Sequence, residues 1–425
     1  LAITVIPFVV YITNKIMSSK NSTINQLLSI PVIVAALGYF VDIYDLLLFG
    51  IVRIPSLKDL GLSETEVSTV GASILNWQMT GLLIGGILWG VLGDKKGRLS
   101  VLFGSILTYS LANIACGFVQ NPDMYKVIRF IAGIGLAGEL GAGITLVSES
   151  LPKNLRAIGT SLVAGIGLLG AVFAYFTVEI FAWRTAYFMG GGMGISLLLL
   201  RIGVFESGAF SAIKEQKDIQ RGNFFSFFTN SNRLTRYLQC IAIGLPTWFV
   251  IGILTTFSNE FGNAMGILDI KPGLAIMWCY VGLSIGDLLS GMLSHMLESR
   301  KKAVGLMMVF TFFFTLVYLF LGLTTAAQLY GGCLLMGIGI GYWAMFVTIG
   351  AEQFGTNLRA TAATTIPNMV RGTVVVMTML FGYLKPTIGV LYAGAIVGLI
   401  SFILGGVSIY KIEETHNRDL NFIEN

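Results

Sequence analysis

Charge, histidine and cysteine are all scarce in this sequence. Charged residues make up 12% of the 425 residues, whereas a soluble domain carries roughly 25%. Hydrophobic residues make up 55% and the mean hydropathy is +0.80. So small a polar supply cannot coat a soluble domain of this length, and the chain reads as a membrane protein. Histidine occurs only as His295 and His416, which leaves no His-based metal site and no His-dependent catalytic triad. Cys116, Cys240, Cys279 and Cys333 each lie in an apolar run with no metal-ligand spacing between them. They read as small buried residues, neither disulfides nor zinc ligands. No G-x-x-x-x-G-K-[ST] occurs, so there is no phosphate loop for ATP hydrolysis. No cofactor, metal or catalytic centre is expected, and no enzyme. The net charge of +5 is modest, and in so apolar a chain basic residues act as topology signals rather than as a nucleic-acid footprint.

Long apolar runs are present in number. Runs of spanning length fall at about 29–53, 67–92, 99–119, 124–148, 157–178 and 183–203, then at about 237–258, 273–297, 303–322, 327–349, 360–383 and 387–410. They predict an all-α membrane protein of twelve transmembrane helices. The domain boundaries expected are an N-terminal segment 1–28, a six-helix bundle 29–203, a linker 204–236, a second six-helix bundle 237–411 and a tail 412–425. Residues 1–16 are too short to cross a bilayer and read as lying outside the functional fold, a mis-set start before Met17. Basic residues cluster in alternate loops: Lys95, Lys96 and Arg98; Lys153 and Arg156; Lys214, Lys217, Arg221, Arg233 and Arg236; and Arg300, Lys301 and Lys302. The opposite loops hold Arg53, Lys58, Lys126, Arg184, Lys271 and Lys385. The positive-inside rule then places both termini and the linker in the cytoplasm of a multi-pass protein in an inner or plasma membrane.

The two groups of six share an internal repeat. Gly81, Gly85, Gly90 and Leu92 recur as Gly282, Gly286, Gly291 and Leu293. Glu149 followed by Asn154-Leu155-Arg156-Ala157 recurs as Glu352 followed by Asn357-Leu358-Arg359-Ala360, and GIG at 133–135 recurs at 337–339. Two bundles with the same way up imply a pseudo-two-fold axis along the membrane normal, where transporters place their sites. Two stretches, GIGLAG (133–138) and GIGLLG (165–170), match the dinucleotide fingerprint G-x-G-x-x-G. That fingerprint needs a strand before it and a helix after it, in water. Both copies lie inside apolar helix-length runs, so their glycines serve close helix packing instead.

GVLGDKKGRLS (90–100) resembles the signature loop of the major facilitator superfamily, G-x-L-[GAS]-[DN]-[RK]-x-G-R. Gly90, Asp94, Lys95, Gly97 and Arg98 fit that pattern, and Lys96 replaces an aromatic. The second-half copy is degraded, with His295 at the aspartate position. YDLLLFG (44–50) with Asp42, RFIAGIGLAGELGAG (129–143), ESLPKNLRA (149–157) and ETHNRDLNFIE (414–424) resemble the metabolite:proton symporters and the related sugar porters. The run AGIGLLGAVFAYF lacks the Gly-Pro pair of drug:proton antiporters, and LQCIAIGLPTWFVIG lacks the paired glutamines of sugar porters. The resemblance implies a secondary transporter working by alternating access. Its conformational latch would comprise Gly90, Asp94, Lys95, Gly97, Arg98, Glu149, Arg156, Glu352 and Arg359.

The charges inside the apolar runs mark the candidate site. Asp42 and Asp45 share one helix face and cannot face lipid. Arg129 needs a partner: Asp45 first, Asp42 or Glu139 second. By resemblance to proton-coupled members, the first-span aspartate takes up a proton and releases this arginine; the other reading is a permanent ion pair. Glu139 is either a proton site, an acceptor for a substrate amine or hydroxyl, or a carboxyl bonded to a neighbouring helix. Arg371 is either a carboxylate anchor, with Asn368 on the same face, or the partner of Asp287. Trp343 and the second-span pair at 78–79, Gln78-Met79, complete the substrate set, while Trp248, Trp278 and Trp343 serve either a cavity wall or packing. The expected partners are the lipid bilayer, protons and a small carboxylate-bearing or zwitterionic metabolite, with the protein a monomer. The alternative function is an exporter or exchanger of organic ions, including siderophore-like or drug-like compounds.

Overall fold

A computed structural model of the protein describes residues 29–96, 98–139, 151, 156–206, 224–355 and 358–416. The described residues are α-helical throughout, with short 3-10 and π turns. In chain order the helices are α1 (Ile30–Asp59), α2 (Glu64–Lys96), α3 (Arg98–Cys116), α4 (Pro122–Leu136), α5 (Arg156–Ile180) and α6 (Trp183–Glu206). They continue with α7 (Ser231–Phe249), α8 (Ser258–Ala264), α9 (Pro272–Met296), α10 (Arg300–Phe320), α11 (Ala326–Ile340), α12 (Trp343–Glu352), α13 (Arg359–Ile388) and α14 (Val390–Lys411). Among the described residues, nine helical spans are long and apolar enough to cross a membrane, and Ser100–Cys116 is a shorter apolar helix. Helix α13 has the length, 30 residues, but a low mean hydropathy, because threonines, Asn368 and Arg371 interrupt its apolar pattern. Residues 1–28 lie outside the described residues.

Local sequence sets the helix starts. Asn121 accepts from the Met124 amide at 2.9 Å ahead of Pro122, which needs no partner at that position. Thr325 and Gln328 form a capping box at α11. Asn230 accepts from the amides of Asn232 and Arg233, so α7 begins at Ser231. Arg233 and Arg236 therefore stand on a helix rather than in the linker expected from the sequence. At α10, Ser299 caps Lys302, and Glu414 of the tail accepts from the Arg300 and Lys301 amides at 3.1 and 3.2 Å. Burial acts to raise the Glu414 carboxyl, but hydrogen bonds from Ser299 and the His416, Lys301 and Arg300 amides outweigh it and hold it below the usual carboxylate range.

The repeat seen in the sequence is a repeat of packing. A Cβ added to Gly81 or Gly85 of α2 would collide with the carbonyls of Phe130 and Ile134 of α4. In α9, Gly282 and Gly286 stand in the same way against Leu334 and Ile338 of α11. Gly133 faces the Gln78 carbonyl as Gly337 faces that of Cys279. These are backbone-to-backbone crossings that only glycine permits, and GIG at 133–135 and 337–339 sits in both. Helix α2 also packs on α13, and α9 packs on α5, so the repeat-related pairs bridge the two groups of helices.

Both crossings lead to a break at the same place in the repeat. Helix α4 ends at Leu136 and α11 at Ile340, and a new turn starts at Glu139 and Trp343 respectively. The carbonyls released at the first break accept from side chains: Ile134 from the Trp89 indole at 2.6 Å and Ala137 from Asn368 at 2.8 Å. At the second break the exposed Ala344 amide donates to Asp287 at 3.1 Å. Backbone groups freed inside a membrane protein must find such partners.

Candidate functional site

The buried charges gather around these breaks. Asp42, Asp45, Arg129, Glu139 and Arg371 are each at most 1% exposed. Asp42 and Asp45 lie one turn apart on α1, and none of their four carboxylate oxygens has a hydrogen-bond partner. Gly190 of α6 leaves room for one of them: a Cβ there would collide with Asp45 Oδ1. The charges of Arg371 and Glu139 act on Asp42, which in turn acts on Asp45.

Arg129 does not form the ion pair expected with Asp45, Asp42 or Glu139. Its Nη2 donates to the Asp45 backbone carbonyl at 3.0 Å, its Nη1 to Asn113 Oδ1 at 3.0 Å and its Nε to Gln78 Oε1 at 3.2 Å. The guanidinium also lies 5.6 Å from the Tyr187 ring centroid. Neutral acceptors satisfy its donors while the Asp45 carboxyl, on the same residue as one acceptor, stays free. Of the second-span pair, Gln78 is the polar contact, and it also donates to the Leu46 carbonyl at 2.9 Å. Met79 is an apolar core residue, which removes position 79 from the polar site.

Glu139 has a partner that the sequence reading missed. Arg201 of α6 forms a two-point ion pair with it, one contact at 3.1 Å and a second that is closer still. Arg201 is 4% exposed and Glu139 1%. Gly38 of α1 leaves room for the pair, since a Cβ there would strike both Arg201 Nη2 and Glu139 Oε1. The available signal was arithmetic: Arg201 interrupts the apolar run SLLLLRIGVF, and a deep arginine needs a deep acid.

Arg371 has no carboxylate in contact. Its Nη1 donates to Asn368 Oδ1 at 3.3 Å, its Nε has no partner, and its guanidinium lies 5.7 Å from the Trp248 ring centroid. The expected alternative partner, Asp287, is engaged elsewhere: one carboxylate oxygen caps α12 through the Ala344 amide. Arg371 instead borders a small, closed-down central cavity. Tyr39 and Ile43 of α1, Leu168 of α5, Trp248 of α7, Ile251 of the π turn that follows it, Tyr280 and Leu283 of α9 and Trp343 of α12 line the rest of it. Trp343 is thus a wall of the cavity, edge-on to Trp248 with centroids 6.2 Å apart. Asn368 touches both sides of the site: it accepts from Arg371 and donates to the Ala137 carbonyl.

A second polar cluster closes the end of the bundle where α1 finishes. Pro246 interrupts α7, and the helix continues as a π turn over Val250–Thr255. Arg53 of α1 donates to the Thr256 carbonyl at 3.0 Å and to Asn259 at 2.9 Å, with the Phe257 ring 4.6 Å away. Lys385 of α13 pairs with Glu260 of α8 at 2.9 Å, and Ser68 of α2 bonds to both. The sequence reading counted Arg53 among the loop bases; the helix runs through Pro55 to Asp59 and buries the arginine completely.

The latch residues are placed unevenly. Asp94 and Lys95 fall in the last turn of α2, and Arg98 and Arg156 open α3 and α5. A Cβ on Gly90 would lie 3.5 Å from Thr365 of α13. Glu352 pairs with Arg300 of α10, and Arg359 opens α13. Gly97 and Glu149 lie outside the described residues.

The sequence matches the family pattern described as Major Facilitator Superfamily over residues 35–378. It is similar to the gentisate transporter of Corynebacterium glutamicum, 27% identical over 76% of this chain and 73% of the relative. It is also similar to the niacin transporter NiaP of Acinetobacter baylyi, 26% identical over 78% and 81% of the two chains. The sialic acid transporter NanX of Escherichia coli is 27% identical over 79% of this chain and 82% of its own.

Proposed function

Since the chain belongs to the Major Facilitator Superfamily, we propose that it takes up a small carboxylate-bearing metabolite together with protons. It does so by alternating access between two six-helix bundles of a twelve-span fold. The observation that carries this reading is Arg371, a buried cation with no carboxylate of its own, on a cavity walled by residues from both repeats. An arginine in such a place needs an anion, and its planar fork suits a carboxylate. The aromatic walls favour a flat, single-ring acid. Gentisate and niacin, in the names of two relatives, are acids of that shape, and sialic acid shares the carboxylate.

With the termini in the cytoplasm, the Arg53 and Glu260–Lys385 cluster is an outer gate, closed in this conformation. Alternating access then requires these bonds between the bundles to break as the cavity opens outward.

Proton coupling is assigned to the α1 carboxyls. No cation pairs with the Asp42 or Asp45 carboxyl, Asn113 is the side-chain donor nearest to hand for Asp45, and Arg129 holds the backbone of Asp45 rather than its carboxyl. Asp45 can therefore exchange a proton without rupture of an ion pair. Asp45→Asn should abolish accumulation driven by a pH gradient and leave exchange of substrate for substrate intact. Counterflow and gradient-driven uptake in vesicles separate the two, and a mutant that still concentrates substrate would remove Asp45 from the coupling role.

A further inference from the structure

Two buried donors on the central cavity lack acceptors. One is Arg371 Nε; the other is the indole Nε1–H of Trp248, a residue only 2% exposed. Buried tryptophan N–H groups normally find a partner, and a buried donor without one has a cost. Trp248 sits on the same cavity as Arg371, and the two side chains are in cation–π contact. The remaining walls are aliphatic or aromatic, with the Tyr39 and Tyr280 hydroxyls and the Trp343 indole as the other polar groups that line it. Neither tyrosine hydroxyl is within hydrogen-bond distance of the indole, which leaves the acceptor to be supplied by the occupant.

We propose that Trp248 Nε1–H donates a hydrogen bond to a second acceptor on the substrate, so that the site selects carboxylates bearing a ring nitrogen or a ring hydroxyl over the bare acid. This rests on the carboxylate reading of Arg371 and adds a selectivity to it. A site built to bond a polar group rejects the analogue lacking it far more strongly than an apolar pocket rejects an added group. The contact between the Arg371 guanidinium and the Trp248 ring keeps the two donors within the span of a single-ring acid. The carboxylate occupies Arg371, and a substituent across the ring meets the indole.

The test is a binding series on the purified, full-length protein with benzoate, 3-hydroxybenzoate, 4-hydroxybenzoate and nicotinate. The wild type should bind at least one acceptor-bearing acid about tenfold or more tighter than benzoate. Trp248→Phe keeps an aromatic ring and removes only the N–H. It should bring the affinity ratio of acceptor-bearing acid to benzoate down to about one, whatever it does to benzoate affinity itself, and a melting temperature near the wild type reports that the variant is folded. Equal affinities across the series in the wild type would overturn the proposal. So would an equal loss for every acid in Trp248→Phe, which marks a packing role. If the wild type binds no carboxylate at all, the reading of Arg371 fails and this inference fails with it.

Discussion

Arg371→Lys is expected to weaken binding of a carboxylate substrate by about tenfold or more, with expression and thermal stability near the wild type. The change keeps the positive charge and removes the planar fork, so it isolates two-point recognition from simple charge balance. Substrate analogues with the carboxylate amidated should lose binding to the wild type and lose little more in the mutant. The geometry also settles what a double mutant should do. Were Arg371 held by Asp287, removing both charges would restore a protein damaged by Arg371→Ala. Asp287 instead caps the break before α12 through the Ala344 amide. Asp287→Ala should therefore carry its own cost and give no rescue. A rescued double mutant that transports at the wild-type rate would end the role of Arg371 as the substrate anchor.

The second large effect is expected at the Glu139–Arg201 pair. Both side chains are buried, and removing one leaves the other charge without compensation, at a cost of roughly 3–5 kcal/mol. Arg201→Met or Glu139→Gln alone should lower the melting temperature sharply in detergent. The double variant Glu139→Gln/Arg201→Met should recover most of that loss, because neither charge remains. The double variant also tests what the pair is for. A fixed two-point pair enclosed by Gly38 suits a structural tie between α6 and the break after α4. Gradient-driven uptake should therefore survive in the double variant, and its loss in a stable double variant would make Glu139 part of proton coupling.

The sequence showed these elements to different depths. Apolar run length marked the spans, because a helix must bury its backbone in lipid over a fixed thickness. The glycine repeat marked two related halves, and the structure shows those glycines to be the contacts of the α2–α4 and α9–α11 crossings, a pairing the repeat alone does not name. Arg53 was counted with a loop because it falls at the end of the first apolar run, whereas α1 continues through Pro55 to Asp59. Arg201 was passed over because an arginine near the end of an apolar run usually reaches the interface. Only its distance to Glu139, 62 residues away in sequence, shows that it turns inward. Arg129 and Asp45 were matched as opposite charges, yet the arginine found neutral acceptors in Gln78, Asn113 and a carbonyl. Side-chain pairing among several candidates depends on rotation about each helix axis, which a period of apolar residues does not fix. Arg371 stood out because no acid lay within a helical turn of it, and in three dimensions it likewise touches no carboxylate, its Nη1 donating to Asn368 instead.

The central claim is proton-coupled movement of a small carboxylate through a site anchored by Arg371. Its most direct measurement is uptake of a radiolabelled single-ring carboxylate into liposomes containing the purified protein, with the interior made alkaline. Protein-free liposomes under the same gradient give the passive flux of the neutral acid. The account predicts accumulation well above that control, collapse of the excess when a protonophore is added, and no excess with Arg371→Ala. Uptake no greater than in protein-free liposomes, for acids that the purified protein binds, would contradict it.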